Sequence, residues 1–309
     1  MNILIFGGTG TIGKALLASL KKSEKNRILA PSRSELELYN YDELVRYLKS
    51  NVVEYLIDAS GYVGGIQFNM TNPHDLMINN AITTLNINRA ALEAKIGKLI
   101  YLAPACIYPQ NSESDLRVED IWKGRPEITS LPYATTKLFG LELVRAANKQ
   151  LNTEWKVLIP ANIFGSFDWE HQKNGHVISM LTDKIFNAKE HGGRIEIWGS
   201  GNQRRDFLSA SDFAKFICAL IENDLIIPEV LNVSGYGEIS IKELAELLCE
   251  EIGFFGELFF DTDKPEGAAR KKLSSNDLED LNYHHTNSLK SALKQYIADY
   301  RSALEAKSQ

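Results

Sequence analysis

Apolar positions along the chain repeat with two periods, and the two alternate. A short apolar run, 2–6, stops at glycines, and from about Thr11 to Leu20 apolar residues return at helical spacing, so a strand and then an amphipathic helix are predicted. The same alternation predicts strands at 27–30, 55–60 and 98–102 and helices at 41–49 and 72–94. Leu138, Leu141, Leu143 and Val144 stripe a central helix over 131–150, and 155–159 reads as the next strand. Repeated strand-helix units of this kind predict an α/β fold built on a doubly wound parallel (Rossmann) sheet, with ligand across the carboxyl ends of its strands.

Past Pro160 the pattern is less regular. Helices are expected at 176–188, 210–222 and 240–252, the last entered through a Ser cap, with short strands at 194–198 and 205–209. Leu289, Leu293, Tyr296, Ile297 and Tyr300 stripe a final helix. With no repeat and no low-complexity linker, the expectation is a nucleotide-binding domain over 1–165, with returning segments from about 205–235. A smaller C-terminal substrate-binding lobe, 166–309, packs on it, and the cleft between them takes substrate.

Composition narrows the function. The 309 residues are 24% charged and 44% apolar, as in a soluble globular protein. A net charge of -6 gives no reason to expect nucleic acid as a partner; an anionic ligand needs a local basic cluster. No apolar run approaches the ~18 residues of a membrane span, and the opening MNILIFGGTGTIG turns into glycines too soon for a signal peptide. Cys106, Cys218 and Cys249 are odd in number and lack metal-ligand spacing, which suits a reducing cytoplasm.

Two patterns carry chemistry. Gly7, Gly10 and Gly13 lie between a strand and a helix, at a spacing that lets backbone turn tightly and approach a pyrophosphate. Thr11 and Ile12 open the helix, while Ala59 and Ser60 end a neighbouring strand. After the second strand, where a carboxylate would bind the ribose 2'-hydroxyl of NAD, the chain reads Leu29-Ala30-Pro31-Ser32-Arg33, and Arg33 suits a 2'-phosphate. Tyr133 and Lys137 stand one turn apart on the central helix. An ammonium beside the phenol is expected to lower its pKa from about 10, so that the Tyr exchanges a proton with a carbonyl oxygen.

With these in place, the chain resembles the extended short-chain dehydrogenase/reductases that act on nucleotide sugars. GYVGGI (61–66), ACIYP (105–109), NGHVI (174–178), WGSG (198–201), RRDFL (204–208) and KPEGAARK (264–271) are similar to the GDP-L-fucose synthase family, the NADPH-dependent epimerase/reductases of GDP-4-keto-6-deoxymannose. The resemblance implies that Tyr133 protonates the C4 oxygen and that Lys137 holds the cofactor ribose. It implies that Cys106 and His176 exchange protons at C3 and C5. It places Lys184, Arg205 and Lys264 around the diphosphate, Asn162 and Trp198 along the substrate, and Asn40 among the cofactor-binding residues. It also implies NADP(H), a GDP-linked sugar and a homodimer made by the Tyr-bearing helix and its predecessor. Inversion beside a ketone is chemically reasonable, because the C4 carbonyl acidifies both neighbouring C–H bonds.

One departure from that pattern is serious. The family's catalytic Ser, two positions before the Cys, is Pro104 here, which has neither a hydroxyl nor an N–H, and Ala105 cannot replace it. In the glycine loop, Thr9 stands where the family has an Arg. Alternatives therefore stay open: a C4 reductase or reversible 4-dehydrogenase of another GDP-sugar such as a heptose, or a non-catalytic NADP(H)-binding sensor. Retention of Tyr133, Lys137, Cys106 and His176 together argues against the sensor. A 4,6-dehydratase has less support, since Pro104-Ala105-Cys106 offers no carboxylate.

Overall fold

The computed structural model describes residues 1–21, 26–110, 112–166, 176–264 and 267–307. Asn174, Gly175, Pro265 and Glu266, parts of two motifs quoted above, lie outside these residues. The chain opens as β1 (Asn2–Phe6), α1 (Thr11–Leu20), β2 (Arg27–Leu29), α2 (Tyr41–Asn51), β3 (Tyr55–Asp58), α3 (Ile66–Thr71), α4 (Pro73–Glu93) and β4 (Lys98–Leu102). It continues through α5 (Leu131–Leu151), β5 (Lys156–Pro160), β6 (Asn162–Phe164), α6 (Val177–His191), β7 (Ile195–Trp198), β8 (Arg204–Ser209), α7 (Ala210–Glu222) and β9 (Val230–Val233). Last come β10 (Glu238–Ser240), α8 (Ile241–Ile252), β11 (Leu258–Asp261), β12 (Arg270–Lys271), α9 (Asn276–Asp280) and α10 (Leu289–Lys307).

Six strands form one parallel sheet in the order β2-β1-β3-β4-β5-β9. Its central strands are buried on both faces, as continuous runs such as Leu-Ile-Phe and Leu-Ile-Tyr require. Helix α1 packs with α7, and α4 packs with both α2 and α5. The doubly wound expectation is met. Two strands are shorter than expected: β2 stops at Leu29 and β3 at Asp58, because 30 and 59–60 leave the ladder beside the glycine loop. The helix expected at 72–94 begins with Pro73 at a first-turn position, where the missing N–H costs nothing, and α3 precedes it.

Strand β9 escaped the sequence reading. It is four residues long and carries Asn232 in its middle, whose buried side chain donates to Leu116 O (2.9 Å) and accepts from Tyr108 Oη (2.7 Å). A second apolar cluster gathers Phe164, Ile185, Leu244, Leu248, Leu293 and Tyr300 from β6, α6, α8 and α10. Around it β8 pairs with β6, β10 and β12, and β7 pairs with β11.

Candidate active site

At the end of β1 the backbone turns through Gly7 at φ +79°, a conformation that L side chains resist. A Cβ on Gly7 would stand 2.4 Å from Ala59 O, and one on Gly13 would stand 2.1 Å from Gly7 O. Gly10 donates its N–H to Gly7 O (3.0 Å) and caps α1, whose first residues are Thr11 and Ile12. Only glycine permits this close approach of helix, loop and the exit of β3. The cradle, with helix N–H groups at its floor, fits the pyrophosphate of a dinucleotide. Arg33 is exposed in the turn after β2. The neighbouring Ser32 gives both N–H and hydroxyl to Glu35 Oε2 (2.8 and 2.7 Å). Asn40 is the N-cap of α2, accepting from Glu43 N at 3.2 Å.

Across the carboxyl end of the sheet, α5 starts with Pro132 in its first turn and presents Tyr133 and Lys137 inward, 9% and 3% exposed. Lys137 Nζ donates to Ser60 O (3.0 Å) and Leu102 O (3.1 Å), so the ammonium is held between the exits of β3 and β4. It lies 4.8 Å from the Tyr101 ring centre and 5.9 Å from that of Tyr133. The expected lowering of the Tyr133 pKa is absent. Burial pushes the phenol well above its usual range, and the Cys106 and Asp58 charges push the same way. Burial lowers Lys137, with Asp58 and Cys106 opposing. Tyr133 is therefore a protonated phenol at neutral pH, which is the form that gives a proton to a ketone oxygen being reduced.

Cys106 sits in a 3-10 turn, Ala105–Ile107, that follows Pro104. Burial pushes its thiol up to about 11, against the pull of Lys271 and a hydrogen bond with Ser130; Glu127 adds to the rise. Glu127 Oε2 pairs with Lys271 Nζ at 3.2 Å, both side chains 10% exposed. Burial pushes Glu127 up, but the Lys271 charge and a hydrogen bond from Thr129 outweigh it and hold the carboxyl below its ordinary value. Burial lowers Arg205, and Glu127 opposes that shift. Cys106, Ser130, Glu127, Lys271 and Arg205 thus form one cluster beside Tyr133.

The remaining residues divide. Lys184 Nζ donates to Glu196 O (2.7 Å), Trp198 Nε1 donates to Glu196 Oε1 (3.3 Å), and Lys264 Nζ stands 5.9 Å over the half-exposed Trp198 ring. Lys184, Trp198 and Lys264 therefore share one neighbourhood beside β7. Asn162 donates to Asp206 O (2.7 Å) and ties β6 to β8. His176 is the exposed N-cap of α6, its carbonyl accepting from Met180 N (3.0 Å) and Ser179 Oγ (2.8 Å). Among the described residues no hydrogen bond or ion pair joins its ring to Cys106.

Residues 3–234 match the NAD dependent epimerase/dehydratase family. The chain belongs to that family. It is 34% identical over 292 residues to a GDP-L-fucose synthase of Sinorhizobium fredii, covering 94% of this chain and 92% of that protein. A GDP-L-colitose synthase of Yersinia pseudotuberculosis is 32% identical over 295 residues, covering 95% and 96%. Among solved structures, the GDP-mannoheptose C4 reductase of Campylobacter jejuni with NADP bound superposes with a TM-score of 0.85 at 25% identity, covering 97% and 98%.

Sequence reasoning for this member of the NAD dependent epimerase/dehydratase family missed Asp58, Glu127, Ser130 and Lys271. Lys271 closes the KPEGAARK motif, so its basic charge was visible, but its partner was not. Glu127 stands in a loop without periodic pattern, and nothing in the sequence places it against β12. Asp58 falls inside the strand expected at 55–60; its interest comes from ending β3 fully buried.

Proposed function

We propose that the protein is an NADPH-dependent epimerase/reductase of a GDP-4-keto sugar. The observation that carries this reading is the burial of Tyr133 and Lys137 together, with Cys106 beside the phenol, where the strands end. The relatives' names support a GDP-linked sugar, and the glycine cradle with Arg33 nearby supports NADP(H). When bound, NADPH supplies the hydride for C4. Tyr133 gives its proton to the C4 oxygen, and Lys137 stays cationic to hold the ribose. Before reduction, Cys106 and His176 take and return protons at C3 and C5 on opposite faces of the sugar, using the acidity lent by the C4 ketone. Arg205 and Lys271 offer cationic groups to the diphosphate, and Lys184, Trp198 and Lys264 line a second part of the nucleotide path in the 166–309 lobe. The test is NADPH oxidation that depends on GDP-4-keto-6-deoxymannose; oxidation with no GDP-4-keto sugar at all sinks the reading.

A C4 reductase of another GDP-sugar, without epimerisation, is the second reading. It is favoured by the likeness to a heptose C4 reductase.

Pro104 bears on rate in both cases. Its backbone, φ -82° and ψ 156°, is one that serine adopts freely, so Pro104→Ser should keep the turn. The added hydroxyl is expected to speed reduction roughly tenfold or more, through kcat rather than KM. Steady-state kinetics and a crystal structure of the variant check this; a correctly placed hydroxyl with no gain in rate contradicts it. On the cofactor, NADPH is expected to bind more tightly than NADH, and Arg33→Ala to narrow the gap. Equal affinities of the unmodified protein, measured by calorimetry, contradict this.

The three free cysteines support a reducing cytoplasm. A homodimer is supported by the apolar face that α4 and α5 leave exposed, Met77, Ile78, Ile82, Leu85 and Phe139. Sedimentation at twice the chain mass is the expected result, and a monomer at micromolar concentration contradicts it.

A further inference from the structure

We infer that Asp58 is a positioning residue for Lys137, keeping its ammonium charged and fixed between the exits of β3 and β4; this rests on reading the site as a C4 reductase. Asp58 is the last residue of β3 and 1% exposed. Its Oδ1 accepts from Ser60 N (3.0 Å) and Ser60 Oγ (2.5 Å), and among the described residues its Oδ2 has no hydrogen-bond partner. The same Ser60 offers its carbonyl to Lys137 Nζ. Carboxylate and ammonium thus meet through one residue: Asp58 fixes the bend at Ser60, and the bend fixes Lys137.

The hydrogen bonds also select the ionised form of the pair. Donors from Ser60 surround the acid, which favours carboxylate, and carbonyls of Ser60 and Leu102 surround the base, which favours ammonium. The neutral pair would hold the same number of protons and lose both sets of charge-assisted bonds. Burial alone pushes the two groups toward neutrality, raising Asp58 and lowering Lys137.

The other titratable groups facing them are Tyr101 from β4, Tyr133 from α5 and Cys106 from the 3-10 turn. Burial holds all three protonated at neutral pH. Asp58 is therefore the anion that answers the Lys137 charge. A buried ammonium without one is costly and sheds its proton more readily.

The experiment uses four full-length proteins: wild type, Asp58→Asn, Lys137→Met and the double variant. In urea unfolding, the double variant is expected to lose less stability than the sum of the singles, because each single strands one buried charge. Additive losses overturn the proposal, and since unfolding needs no turnover they do so whatever the substrate is. If Asp58→Asn alone does not fold, recovery of folding in the double variant is the same coupling and supports the proposal; failure of both overturns it. In turnover, Asp58→Asn is expected to move the alkaline limb of kcat down by about one to three pH units. Lys137 then loses its proton earlier, and Tyr133, which Asp58 also raises, shifts the same way. A uniform loss of rate with the limb unmoved is what a merely structural Asp58 gives, and it contradicts the proposal.

Discussion

Tyr133→Phe is expected to lower the rate of C4 reduction by about 100- to 10,000-fold, near the upper end, while binding of cofactor and sugar nucleotide persists. The reason lies in what surrounds the phenol. Pro104 and Ala105 bring no hydroxyl to the C4 oxygen, so a larger share of the developing charge falls to Tyr133. On the proposed reading binding rests on other residues, the glycine cradle and the basic groups, so the loss belongs in kcat. Burial also fixes the pH behaviour. A group held above the ordinary phenol value keeps its proton through neutral pH, so the wild-type rate is expected to be flat with respect to Tyr133 until well into the alkaline range, then to fall. Stopped-flow measurement of the hydride step across pH checks both points. A Tyr133→Phe protein with a rate within threefold of wild type contradicts the assignment.

The second large effect concerns proton exchange at carbon. Cys106→Ser and His176→Asn are each expected to suppress solvent deuterium entry at C3 or C5 of a 4-keto sugar by about 100-fold or more, without any reduced cofactor present. With its pKa pushed up to about 11, the Cys106 thiol is ionised in only about one molecule in ten thousand at pH 7. A serine hydroxyl is a much weaker acid still, which is why the conservative change should be costly. The neighbours tune it in opposite directions, Lys271 toward thiolate and Glu127 toward thiol. GDP binding to the variants, followed by calorimetry, separates lost chemistry from lost structure. If wild-type protein exchanges nothing into a sugar that it does reduce, the C4 reductase reading replaces the epimerase one.

The sequence made the nucleotide half legible because its signals are local. A strand stopping at Gly7, a helix opening at Thr11 and a stripe through Leu138, Leu141 and Val144 each need only their own neighbours to be read. Tyr133 and Lys137 were visible for the same reason, sharing one helix face. Pairings between distant segments were not. Glu127 meets Lys271 across 144 positions of chain, and Asn232 hides β9 by placing an amide where an apolar residue was needed to mark a strand. The pKa of Tyr133 failed in the same way: spacing put an ammonium nearby, but the carbonyls of Ser60 and Leu102, which hold that ammonium, come from the exits of β3 and β4. Burial, which decides the sign, is a property of the whole fold.

The most direct test of the epimerase/reductase reading is one incubation. The protein, GDP-4-keto-6-deoxymannose and NADPH are combined in D2O, and the nucleotide sugar is analysed by NMR and mass spectrometry. The predicted product is a GDP-linked 6-deoxyhexose reduced at C4, with deuterium and inverted configuration at C3 and C5 and one NADPH consumed per sugar. Recovery of the 4-keto sugar unreduced, with NADPH intact, would contradict the account.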